Sequence, residues 1–347
     1  MQKTKPTIFY SVLLLAVNLV LYACLPQPLP PGFSPGDLKP PAVISWAPGS
    51  PLEVQVFFDE PVADILPDFA NNPGLGILSV NLGDTDNSIV VTLDAEQLPG
   101  EAYSISGSIA DAAGNMSSFI LPYWGYNPEP PKLLINELLT EGSAARPDAL
   151  EFFAMESGNC AGLAFFVGVP GNYQLRYIFP PLKVEAGDYI ILHLKPQGLP
   201  VELDETIDKT LSGGADSSAA AWDLWYRQGD GALPGKNAVL SLCLSPVGNY
   251  MDAVAYSERT VDSDSKYGGF GTTALLNRIM ALAASGAWTF SDPPRPEDCA
   301  RSTGTTSTRT ICRNSESFDS NSGSDWHVVP TRGISLGGPN TDDVHEP

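Results

Sequence analysis

Short runs in which apolar and polar residues alternate recur from Leu52 to Tyr256, the early ones bounded by Gly, Pro, Asn and Asp and the later ones separated by turn signals. Period-two alternation with that punctuation makes β-strands with one buried face. Four runs come early, at 52–58, 77–80, 88–93 and 103–109. Seven follow, at 133–138, 149–155, 163–169, 174–179, 189–194, 238–244 and 250–256. Helical spacing occurs convincingly once, in Thr272 to Ser285, where Leu275, Leu276, Ile279 and Leu282 make an apolar stripe expected to pack on a sandwich. With 43% hydrophobic residues the chain can bury real cores. The expected fold class is all-β, with two β-sandwich domains in tandem.

Prolines mark the divisions. Tyr126-Asn127-Pro128-Glu129-Pro130-Pro131 reads as a linker, because a residue before proline is pushed out of helical conformation and proline cannot donate to a ladder. It separates a first domain at 40–126 from a second at 132–340, followed by a short tail at 341–347. The second domain carries insertions at about 196–236 and 260–310. At the start, Lys3 and Lys5 precede an apolar run from Ile8 to Tyr22 without an acidic residue, which is the pattern of a secretory signal peptide over 1–23. That run is shorter than the about 20 apolar residues a spanning helix needs. Leu21-Tyr22-Ala23-Cys24 resembles the lipobox of bacterial lipoproteins, and the resemblance implies a diacylglycerol on Cys24. Each buried methylene adds about 0.8 kcal/mol of membrane affinity, so several acyl chains would anchor the chain durably. A tether at 24–39 follows, in a stretch from Leu25 to Pro41 where seven of seventeen residues are proline, a stiff spacer.

The formal charge is -21, and -23 once Lys3 and Lys5 leave with the signal. Nucleic acid is therefore not an expected partner, because the long-range field repels it. The expected partners are the membrane, through Cys24, and an envelope protein or glycan. The expected localisation is extracytoplasmic, on the periplasmic face or the cell surface.

In the first domain, Val56-Phe57-Phe58-Asp59-Glu60-Pro61-Val62, Leu98-Pro99-Gly100-Glu101-Ala102-Tyr103 and Asp111-Ala112-Ala113-Gly114-Asn115 resemble, in order and spacing, the SbsA-like bacterial Ig-like domain of surface-layer proteins. The resemblance implies an immunoglobulin-like sandwich acting as a spacer or adhesion module. Asp59, Glu60, Asp111 and Asn115 have two readings, calcium ligation or turn capping, and the second needs only the habit of Asp and Asn to bond their own backbone.

In the second domain, Leu134-Ile135-Asn136-Glu137-Leu138 followed by Asp148-Ala149-Leu150-Glu151-Phe152-Phe153 resembles the opening of the lamin-tail domain. Ala238–Leu242, Asp252–Tyr256, Asp325-Trp326 and Gly338-Pro339-Asn340 continue the frame, which implies a second immunoglobulin-like sandwich. Glu137 and Glu151 are the acids most suited to an acid–base pair, although carboxylates bonding loop amides at the end of a sandwich explain them with less. Trp222, Trp225 and Tyr226, inside the first insertion, form a possible binding surface, since aromatic residues dominate binding hot spots. They could equally cover the core. Asp319, Asn321 and Asp325 place oxygens at alternating positions of a loop, as a calcium site does.

Cys160, Cys243, Cys299 and Cys312 are disulfide candidates in an oxidising compartment, with Cys299–Cys312 the favoured pair. His193, His327 and His345 are the only histidines, and none stands at metal-ligand spacing to a Cys or Glu. The expected function is a lipid-anchored structural or binding module of the envelope, with no catalysis and no cofactor. The alternatives are a protein associated with secreted hydrolases, or a calcium-dependent carbohydrate-binding module.

Overall fold

The computed structural model describes residues 36–229 and 231–346. The signal peptide, Cys24 and most of the tether lie outside the described residues.

The first domain is built from β1 (Val43–Ser50), β2 (Glu53–Phe58), β3 (Asp64–Ile65), β4 (Ala70–Asn72), β5 (Ile77–Leu82), β6 (Ser88–Leu93), β7 (Ala102–Ala110) and β8 (Met116–Trp124). One sheet has the order β1-β2-β6-β5, and in the other β7 pairs with β3, β4 and β8. The alternation in β2 sends Val54, Val56 and Phe58 inward, where they meet Ile89, Val91 and Leu93 of β6 and Ile105, Ile109 and Tyr123 of the facing sheet. Besides the short β3 and β4, the strands of this domain outside the alternating runs are β1 and β8. Both are edge strands and contain Pro48 and Pro122, which an edge tolerates because one side of its ladder is unpaired.

The second domain contains β9 (Leu133–Leu139), β10 (Ala149–Ala154), β11 (Gly158–Asn159), β12 (Ala164–Val169), β13 (Asn172–Ile178), β14 (Lys183–Val184), β15 (Tyr189–His193), β16 (Trp222–Trp225), β17 (Asn237–Ser245), β18 (Gly248–Ser257), α1 (Thr273–Ser285), β19 (Ala300–Arg301), β20 (Ile311–Arg313) and β21 (Trp326–Val328). A six-stranded sheet, β16-β15-β10-β9-β20-β21, faces a five-stranded one, β13-β12-β17-β18-β19. Between them lie Leu133, Ile135, Phe152, Phe165, Leu240 and Val254, all fully buried. The helix α1 begins where the Thr272 side chain accepts the Leu275 N–H, and it ends at Gly286 in left-handed conformation. It buries Leu275, Ile279 and Leu282 against the sandwich, as its apolar stripe predicts. No helix among the described residues is long and apolar enough to cross a membrane.

Arg313 joins the two sheets of this domain. Its guanidinium is fully buried and meets both oxygens of the equally buried Asp252 on β18, at 3.1 and 3.2 Å. It also donates to the Ile135 carbonyl at 2.8 Å and lies 4.8 Å from the centre of the Trp326 ring.

The cysteine expectation is corrected here: all four thiols are free and buried. Cys299 belongs to the main core, whereas Cys312 follows the core residue Ile311 on β20 and so points to the opposite face of its sheet. Cys160 lies in the core, and Cys243 packs with Ala164, Phe166 and Tyr250 on the far side of the other sheet. The strand alternation thus keeps the favoured pair apart, and burial pushes the Cys160 and Cys243 thiols up to about 12.

The two sandwiches meet backbone to backbone. A side-chain carbon on Gly100 would lie 2.5 Å from the Gly162 nitrogen, and both glycines have positive φ. Asn127, from the linker, donates to the Asn159 and Ala161 carbonyls at 2.6 and 3.0 Å, and Arg176 stacks over Trp124.

Candidate functional site

Strand register lines up one residue from each strand of the six-stranded sheet. In sheet order they are Asp223, Ile191, Glu151, Glu137, Cys312 and His327. Their neighbours Leu150, Phe152, Ile190, Leu192 and Ile311 enter the core, so this rung lies on the outer face. It is nevertheless covered. Glu137 and Glu151 are wholly buried and Asp223 is 1% exposed, because the segments around 194–221 and 330–340 fold over them.

Glu137 accepts hydrogen bonds from the Thr310 hydroxyl and, at 3.1 and 2.8 Å, from the Ser335 N–H and hydroxyl. Glu151 accepts from the Asn136 amide at 2.8 Å and from the Gly337 N–H at 2.6 Å. Burial pushes both carboxyls above the usual range, and the charge of Glu137 opposite adds to the effect on Glu151. The two acids that suggested an acid–base pair are thus internal acceptors for loop groups.

The same device organises the first insertion. Glu202 accepts the N–H groups of Gln197, Gly198 and Leu199, and Glu205 those of Ser212 and Asp223. Asp223 in turn accepts the Ser218 N–H at 2.9 Å and lies 2.7 Å from Nε2 of His193. The His193 ring stacks on Trp225 with centroids 3.9 Å apart, and it is 4% exposed.

The aromatic cluster is therefore corrected as a binding surface. Trp225 and Tyr226 are buried, Trp225 donates to the Ser212 hydroxyl, and Trp222 is half-buried with its N–H on Asp188 and Lys209 over its ring. Residues 222–225 are strand β16, which runs parallel to β15 after a long crossover, and a four-residue strand inside an insertion leaves too short an alternation to read.

The loop expected for calcium is bonded within the chain. Oδ1 of Asp319 accepts from Arg313 and from the Asn321 N–H, both at 3.0 Å. Asp325 accepts from the Ser320 N–H and hydroxyl and from the Ser322 N–H. These oxygens face the chain's own donors. Among the early acids, Asp37, Glu60 and Asp111 bring carboxylate oxygens within 4.8 Å of one another. Asp111 accepts the Ala113 and Asn115 N–H groups and the Asn115 amide, as turn capping requires, and Asp59 pairs with Lys39.

The loops that cap the rung also form a depression of about 390 Å³, lined by Arg146, Asp216, Ser217, Ser218, Thr308 and Arg332. Arg146 holds Oδ1 of Asp216 at 2.9 Å, while Oδ2 is buried without a hydrogen-bond partner. Asp216 and Arg332 both sit in left-handed backbone, at φ 58° and 73°. No sequence signal marks this group, because its members come from four separate loops.

Comparison with known proteins gives little chemistry and one clear relationship. A Treponema pallidum (strain Nichols) protein, described only as uncharacterized, is 33% identical over 139 residues, 40% of this chain. The matched part spans 34% of that protein's length. Among solved structures, the N-terminal part of the S-layer protein SbsC aligns with a TM-score of 0.25 at 14% identity, covering 63% of this chain and 44% of that one. L,D-transpeptidase 3 from Mycobacterium tuberculosis aligns at 0.17 and 10% identity, covering 44% of this chain and 81% of the other. At such scores neither likeness says anything about this protein. The family described as TP_1001, protein second domain, matches residues 131–328, which is more than half of the chain, and the chain belongs to that family.

Proposed function

We propose that this chain is a lipid-anchored extracytoplasmic protein of the bacterial envelope that acts as a structural or binding module without catalysis. The observation that carries this reading is the state of the buried acids. A general acid or base needs a proton-exchanging atom within reach of a substrate. Glu137, Glu151, Glu202, Glu205 and Asp223 all turn their oxygens to the chain's own N–H and hydroxyl groups. His193, beside Asp223, is closed in between that acid and the face of Trp225. Carboxylates used in this way stiffen loops.

The N-terminal pattern supports the anchor, with basic residues, an apolar run, Leu21-Tyr22-Ala23-Cys24 and a proline-rich spacer in that order. The SbsA-like motifs of the first domain and the lamin-tail-like frame of the second support a scaffolding or adhesion role by analogy of fold. The test is the intact mass of the membrane-extracted protein from a lipidating host, beside a Cys24→Ala variant. The expected result is a diacylated species beginning at Cys24 that is lost in the variant. An unlipidated, soluble wild-type product would overturn the anchor.

A further inference from the structure

The geometry points to a carboxylate-binding site in the depression formed by Arg146, Asp216, Ser218, Thr308 and Arg332. This inference goes beyond the envelope-module reading and does not depend on Cys24.

Charge comes first. The chain has 40 acidic and 19 basic side chains, so a lining with two arginines and one acid departs from the prevailing charge. Arg146 is already matched by Asp216 at 2.9 Å. Arg332 has no carboxylate within ion-pair distance among the described residues, and its side chain is exposed. One cationic group is thus left over. It suits a ligand with a single negative charge.

The hydrogen-bonding groups agree with that choice. A guanidinium offers two parallel N–H donors that match the two oxygens of a carboxylate. The Ser218 hydroxyl accepts the Ala220 N–H, which leaves its own hydrogen to donate, and Thr308 supplies another hydroxyl at the rim. Ile334 and Leu336, both partly exposed, give the depression an apolar edge. A volume of about 390 Å³ fits a molecule the size of a monosaccharide or a dipeptide end.

Backbone strain is the independent observation. Asp216 and Arg332 are two of the five non-glycine residues at positive φ among the described residues, and both line this depression. A residue held there is strained, and such strain collects at ligand sites because the surroundings fix a side chain where function needs it. The Arg332 N–H is held on the Thr308 carbonyl at 3.2 Å, so the strained residue is fixed in place.

The experiment is calorimetric titration of the full-length chain with two carboxylates, glucuronate and N-acetylalanine, beside their neutral counterparts glucose and N-acetylalaninamide. The first acid stands for a sugar acid and the second for a peptide C-terminus, so the pair separates the two sources of one chemistry. The expected result is saturable binding of one acid and not of its neutral counterpart, weakened at least about tenfold by Arg332→Gly. Glycine adopts a φ of 73° without strain, so this variant keeps or raises the thermal midpoint while removing the guanidinium. Absence of saturable binding by either acid, equal binding of a neutral counterpart, or unchanged affinity in Arg332→Gly would each overturn the assignment.

Discussion

In the first sandwich, β2 alternates strictly between buried and partly exposed residues, whereas in the second, β9 is buried along its whole length. The first domain closes with short turns and leaves the outer faces of its sheets to water. The second covers the outer face of its larger sheet with loops, and covered loops carry backbone groups that must find partners. Here carboxylates supply them. Glu137, Glu151, Asp148, Glu202, Glu205, Asp223 and Asp252 each accept at least one backbone N–H. A good part of the acidic excess is therefore an internal fastening for irregular chain, and a net charge of -21 says less about the surface than it suggests.

The sharpest way to break this comparison is at Arg313, the charge buried between the second domain's sheets. Arg313→Leu leaves Asp252 without its cation, and removing one partner of a buried pair costs about 3–5 kcal/mol. Chemical denaturation should show that loss, with partial recovery in the double variant Arg313→Leu, Asp252→Leu. A loss under about 1 kcal/mol would mean that packing alone holds the inner face, as it does in the first domain.

A smaller effect is expected where the two sandwiches touch. Gly100→Ala introduces both a φ of +74° and a carbon 2.5 Å from the Gly162 nitrogen, for a loss of about 2 kcal/mol. Gly114→Ala has a φ of +84° but nothing within 4 Å, so it should lose about 1 kcal/mol from conformation alone. The contact also predicts faster proteolysis across Tyr126–Pro131 in the Gly100 variant only. Equal behaviour of the two variants would mean that the domains do not brace each other.

Smaller again is the pH response of the covered rung. Burial raises the Glu151 carboxyl in the folded chain, so the native state keeps its proton to a higher pH than the unfolded one, where glutamate titrates near about 4.3. Its contribution to stability is full below that unfolded value and is lost as pH rises through the folded one, at up to about 1.4 kcal/mol per pH unit. Urea midpoints at pH 5 and pH 6 should therefore fall more in wild type than in Glu151→Gln. Parallel slopes would show that Glu151 is ionised in the fold and that its hydrogen bonds to Asn136 and Gly337 outweigh burial.

The same contrast decides what the sequence could reveal. All seven runs of the second domain are strands, as are the four of the first, although β9 and β12 are buried on both faces. Edge strands with Pro48 or Pro122 fell outside the runs, and so did β16, whose Trp-Asp-Leu-Trp looked like an exposed aromatic cluster. The acids of the rung could be named singly but not as a row, because register joins Glu137 to Cys312, far along the chain. Arg313 and the depression around Arg332 carried no local signature at all. Their meaning depends on which loops meet, a property of tertiary packing that no spacing in one segment encodes.

The smallest expected effect concerns calcium. An extracellular-type site with a dissociation constant between about 10⁻⁴ and 10⁻³ M would stabilise the fold by about 0.4–1.4 kcal/mol at 1 mM free ion. The second-domain loop should show none of this, because Arg313 and backbone donors already face Asp319 and Asp325. Thermal midpoints with and without 1 mM calcium should then coincide. A rise abolished by Asp319→Asn would restore the loop as a metal site and show that Arg313 yields to the ion. A rise abolished by Glu60→Gln would instead place the ion among Asp37, Glu60 and Asp111, and the first sandwich, with its plainer fold, would be the one whose acids serve a ligand.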